Sequence, residues 1–69
     1  MPLSMAHVGD VVTIIRIMGR ETVRHHLTDL GFVAGEKVTV VNKLSGNLIV
    51  LVKDTRVALD EKMADRIIV

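Results

Sequence analysis

Lys37-Val38-Thr39-Val40-Val41-Asn42-Lys43-Leu44, followed by Ser45-Gly46-Asn47 and then Leu48-Ile49-Val50-Leu51-Val52-Lys53, forms the centre of the chain. Two runs rich in β-branched and aliphatic residues flank three turn-formers, which is the signature of a β-hairpin. In the first run Lys37 and Thr39 alternate with Val38 and Val40, giving one polar and one apolar face. Val41 then blurs the pattern. The second run is the most hydrophobic in the chain and predicts a central strand. Asp54-Thr55 reads as another tight turn. Arg56-Val57-Ala58-Leu59 alternates again and pairs back, so the segment is a three-stranded meander.

Working outward, the C-terminal flank opens on Asp60, a good helix N-cap, with Glu61 at the first helical position. One helical turn, Glu61 to Ala64, is expected, then Asp65-Arg66 and a last strand, Ile67-Ile68-Val69. So apolar an end is expected to pair with the first strand. On the N-terminal flank, Val33-Ala34-Gly35-Glu36 reads as a tight turn with Gly35 at positive φ. Before it, Val23, Leu27 and Leu30 recur at helical spacing among polar neighbours, predicting an amphipathic helix from Glu21 to Leu30. Gly31 is placed to end that helix, with Phe32 folding back on its last turn. Asp10 to Ile17 is β-branched and bounded by Gly9 and Gly19, hence a strand, with Val12, Ile14 and Ile17 facing one way and Val11, Thr13 and Ile15 the other. The order is strand, helix, three meandering strands, helical turn, strand. Curling about five short strands into a small barrel, with the helix as a lid, removes exposed edges.

The chain has 69 residues, which sets one domain, residues 1–69, with a small core. Ligand pockets of roughly 300–1,000 Å³ would consume most of it. Hydrophobic residues make up 49% of the chain, and mean hydropathy is +0.44. Yet the longest unbroken apolar run is Leu48 to Val52, far short of the ~18 residues that cross a bilayer. The N-terminus has no basic or apolar leader pattern, so a cytoplasmic location is expected, without direct membrane insertion. There is no cysteine, which excludes disulfides, iron–sulfur clusters and thiol catalysis. Nine basic and eight acidic residues, with Phe32 the only aromatic, argue against nucleic acid as a partner.

Leu27-Thr28-Asp29-Leu30-Gly31-Phe32, Gly35-Glu36-Lys37-Val38, Arg56-Val57-Ala58-Leu59 and Ala64-Asp65-Arg66-Ile67-Ile68-Val69 together resemble the FeoA family, over nearly the whole chain from about Met5 to Val69. That resemblance implies an SH3-like barrel with an added helix. It also implies a small cytoplasmic accessory of bacterial ferrous iron transport whose partner is FeoB, the permease with a cytoplasmic GTP-binding domain. The same domain type occurs at the C-terminus of metalloregulators of the diphtheria toxin repressor family. A metal-responsive regulatory domain, or a weak transition-metal-binding domain, is therefore the alternative reading. His26 stands where the family often carries Arg, and Ala34 where it often carries Pro.

Candidate sites follow from the residues. Arg20 and Arg24, with His25 and Thr28 on the outer face of the helix, could dock an acidic surface. Leu44 and Asn47 border the hairpin tip, a second candidate for partner binding. Self-association through an exposed aliphatic patch is a further expectation. His25-His26 invites a metal reading, but adjacent helical side chains diverge by about 100°. His25 and Asp29, four residues apart, are the weak metal candidates, and no cofactor is expected. The carboxylates sit at element ends, where turns and caps use them, and Ser4 and Ser45, the only serines, fall in loops with no plausible base expected beside them. No catalysis is expected. Gly31, Gly35 and Gly46 are assigned structural turn roles.

Overall fold

The hairpin forms between β3 (Lys37–Leu44) and β4 (Asn47–Val52), which pair antiparallel around Ser45-Gly46. This computed structural model describes residues 1–69. Asn47, read as loop, is the first strand residue and lies opposite Leu44. The register shifts between Val40 and Asn42, so Val41 is the extra residue of a β-bulge, which is why the alternation blurs there. β5 (Thr55–Asp60) pairs with β4 in unbroken register from Asn47↔Asp60 to Val52↔Thr55. Their turn is Lys53-Asp54, one residue earlier than the sequence suggests. Both residues have positive φ, +50° and +60°. Two left-handed residues between paired strands give the type I′ twist that matches strand twist.

The segment read as one strand, Asp10 to Ile17, is two: β1 (Val11–Thr13) and β2 (Arg16–Ile17). β1 pairs with β3, Val11 opposite Thr39 and Thr13 opposite Lys37. β2 pairs instead with β6 (Ile67–Ile68). The switch falls between consecutive amides. Ile14 N–H donates to the Glu36 carbonyl at 2.9 Å, and Ile15 N–H donates to the Ile68 carbonyl at 2.7 Å. The predicted faces hold: Ile14 is buried and Val12 and Ile17 pack on the core, while Val11, Thr13 and Ile15 are exposed.

The fold is thus mostly β and SH3-like, with six short strands in two sheets, β1-β3-β4-β5 and β2-β6. The expected closure into a barrel of about five strands does not occur. The last strand does find the first unit, but only its second half. Pro2 bridges the other side of Ile68, and Met1 and Val69 exchange two backbone bonds of 2.8 Å. With β6 occupied on both sides, nothing reaches β1 or β5, which remain sheet edges.

Helix α1 (Glu21–Asp29) ends as its sequence dictates. Gly31 takes φ +106°, its N–H donates to the Thr28 carbonyl, and the Phe32 N–H donates to the Leu27 carbonyl at 3.0 Å. These two bonds define a Schellman cap, and the accompanying Leu27–Phe32 apolar pair lies inside the core. Leu30, expected on the buried stripe, is exposed because it is the C-cap residue, where the helix direction is already lost. Asp60 caps α2 (Glu61–Ala64), its Oδ1 accepting from the Met63 N–H at 2.8 Å. A 3-10 turn at Leu3–Met5 buries Leu3 and Ala6. The core is one cluster of 13 residues with Phe32, Leu27 and Leu3 among its largest members, and it holds no polar side chain.

Candidate functional site

Helix α1 presents its polar face outward because only Val23 and Leu27 turn toward the core. Arg20, its N-cap, then Arg24 and Thr28 succeed one another at four-residue steps and form one exposed strip, with His25 beside it. Neither arginine takes part in an ion pair, so two guanidinium groups are free to meet an outside acid. His25 turns to Glu21, with Nε2 to Oε1 at 3.7 Å, rather than to Asp29. Helical side chains lean toward the N-terminus, which favours the residue one turn earlier. The His25–Asp29 pair named as the weak metal candidate is therefore not assembled. No three His, Asp or Glu side chains converge anywhere in the chain.

The hairpin candidates belong to the sheet, at the facing ends of β3 and β4. Leu44 and Asn47 face each other across the Ser45-Gly46 turn and border a shallow groove of about 190 Å³. Ser4, Lys43 and Glu61 complete its polar rim. The 3-10 turn supplies that rim: Lys43 Nζ donates to the Ser4 carbonyl at 3.3 Å, and the Ser4 hydroxyl donates to the Asp65 carboxylate. A second open groove lies beside the Glu36–Lys53 ion pair, 3.9 Å apart. Neither groove is lined by a residue of α1. The arginine strip and the hairpin tip are thus two separate candidate surfaces, not one site. Gly31, Gly35 and Gly46 all have positive φ, as turn residues.

Sequence reading did not assign the outer face of the four-stranded sheet. Val11, Thr39, Leu51 and Arg56 form one cross-strand row there, and Ile49 and Ala58 belong to the next. Val11 is 62% exposed and Leu51 36%. The available signal was the aliphatic residue at positions where alternation calls for a polar one.

A model of the FeoA domain matches residues 1–69. The chain belongs to the FeoA family. Among curated relatives, the Fe(2+) transport protein A/Fe(2+) transporter FeoB fusion protein of Porphyromonas gingivalis is 44% identical over 41 residues. That match spans 59% of this chain but 5% of the fusion protein. Among solved structures, zinc-complexed FeoA of Stenotrophomonas maltophilia, described as a prokaryotic SH3 domain protein, superposes with a TM-score of 0.86 at 31% identity. It covers 99% of this chain and 87% of the other. A manganese-dependent transcriptional repressor shares the fold, with a TM-score of 0.88 at 20% identity, over 97% of this FeoA-family chain and 39% of the repressor. No helix of the chain is long and apolar enough to cross a membrane.

Proposed function

We propose that this FeoA-family chain is a non-catalytic accessory of ferrous iron transport that acts in the cytoplasm as a single domain by docking on a FeoB-type transporter. The observation that carries the reading is the P. gingivalis relative, in which transport protein A and FeoB form one polypeptide. Covalent fusion holds two modules at high effective concentration, an arrangement that serves modules which work in contact. The surface chemistry supports docking rather than turnover. Charged side chains are spread over an exposed shell, and the core beneath them is wholly aliphatic and aromatic.

The α1 strip of Arg20, Arg24, His25 and Thr28 is the proposed primary contact, and Leu44 with Asn47 a second. An acidic patch on the transporter's GTP-binding domain would meet the strip, and docking would bias that domain's GTPase cycle or its assembly. The test is calorimetric binding of the intact chain to the cytoplasmic domain of a FeoB-type transporter from the same organism, with GTP turnover followed in parallel. Reversing both Arg20→Glu and Arg24→Glu is expected to weaken binding about tenfold or more, since two rim charges change sign. Leu44→Asp reports on the hairpin tip in the same assay. Absence of binding in every nucleotide state overturns the proposal.

A further inference from the structure

β5 is an edge strand whose only protection is its pair of outward charges, Arg56 and Asp60. It is six residues long, and its register with β4 is unbroken. It has no proline, no bulge and no charge pointing inward: Leu59 is buried and Val57 half-buried, while Arg56, Ala58 and Asp60 point out. Its outer backbone groups meet no other strand. β1, the opposite edge of the same sheet, is blunted by its three-residue length. Native folds seldom leave a long regular edge open.

The sequence of this edge is complementary to itself. Two copies of β5 laid antiparallel with Ala58 opposite Ala58 place Arg56 opposite Asp60 and Val57 opposite Leu59, twice each by symmetry. Inward-facing residues then meet inward-facing ones, as a continuous sheet requires. The smallest side chain sits on the two-fold axis, where two copies crowd most. A shift by one position sets outward residues against inward ones. A shift by two in one direction puts Arg56 opposite Ala58, and in the other leaves Arg56 beyond the paired segment, so either way the ion pairs are lost. Both charges are available. Arg56 forms no ion pair within the chain, and Asp60 spends only Oδ1 on the Met63 amide, leaving Oδ2 free.

We propose that the outer edge of β5 is a pairing surface for a second copy of this chain, joined antiparallel about a two-fold axis through Ala58 and fixed in register by two Arg56–Asp60 ion pairs. The pairing fuses two four-stranded sheets into one of eight strands and covers Val57. It leaves the α1 strip free, while Asp60 lies opposite Asn47 in β4 and so adjoins the hairpin tip.

Sedimentation equilibrium of the purified chain at low ionic strength, from micromolar to millimolar concentration, tests it. A reversible dimer is expected. Arg56→Glu sets like charges opposite each other at two places, and Ala58→Lys sets two lysines across the axis. Each is expected to raise the dimer Kd by about tenfold or more. Asp60→Lys alone does the same, but an equimolar mixture of Arg56→Glu and Asp60→Lys chains restores a mixed dimer, because each reversed charge then meets its opposite. Circular dichroism confirms that each variant is folded, and Ala58→Lys leaves the α2 cap intact should the Asp60 variant fail. A chain that is monomeric at millimolar concentration, or a dimer whose Kd is unmoved by Arg56→Glu and Ala58→Lys, overturns the proposal. Gain of amide protection along β5 only on adding a transporter fragment also overturns it and assigns the edge to that protein instead.

Discussion

Gly31 and Phe32 show how much one dipeptide can settle. At φ +106° any side-chain-bearing residue is strained, while the Phe32 amide and ring must both reach back to Leu27. A Cβ added at Gly31 would meet Lys53 Cδ at 3.4 Å, an ordinary contact, so conformation rather than crowding fixes glycine here. Gly31→Ala is therefore expected to cost on the order of 1–2 kcal/mol, read as a lower urea midpoint with an unchanged slope. These positions were legible because a helix stop is local chemistry. The neighbouring turn, Lys53-Asp54, was legible only to within one residue. Asp54 tolerates φ > 0 but Lys53 does not favour it, and the β4–β5 ladder on its two sides imposes the turn there. Lys53→Asn with Asp54→Gly supplies the residues this turn type prefers and should raise stability by about 0.5–1 kcal/mol in the same titration.

At the scale of elements, β3 and β4 have partners on both sides, whereas α1 rests on the core through Val23 and Leu27 alone. A nine-residue helix is too short to persist in water by itself, so its stability comes from those two side chains and from the Leu27–Phe32 cap. Native-state hydrogen exchange should accordingly find α1 amides opening at lower free energy than those of β3 and β4. Equal protection across both would show that the helix and sheet open only together. A loosely held helix also suits the proposed contact strip, which a partner can adjust without disturbing the sheet. The periodicity of Val23, Leu27 and Leu30 located this helix but misplaced Leu30, because spacing does not register where the helix axis ends.

At the scale of the molecule, a chain of 69 residues has a small reserve of stability, on the order of 5 kcal/mol. Phe32 is fully buried at the junction of helix and sheet. Phe32→Ala is expected to remove about 3–5 kcal/mol and leave the chain largely unfolded at 37 °C, as followed by circular dichroism. Phe32→Leu, which retains most of the volume, should remain folded. Of the candidate site, the exposure of Arg20, Arg24, His25 and Thr28 was legible from helical spacing. The direction of His25 was not, since both Glu21 and Asp29 stand four residues away and only the lean of helical side chains chooses between them.

Local sequence encodes the helix, the three-stranded meander, the final strand, the aliphatic core and the caps at Gly31 and Asp60. All of these follow from the spacing of apolar residues and from turn chemistry within a few positions. Long-range packing divides Asp10–Ile17 between two sheets, joins β6 to β2, and leaves β1 and β5 as open edges. The reason is physical. No glycine or proline interrupts Ile14-Ile15, and their two amides simply find acceptors on Glu36 and Ile68, residues 22 and 53 positions away. Which distant carbonyl a strand amide meets depends on how the whole chain packs, and no local pattern encodes it.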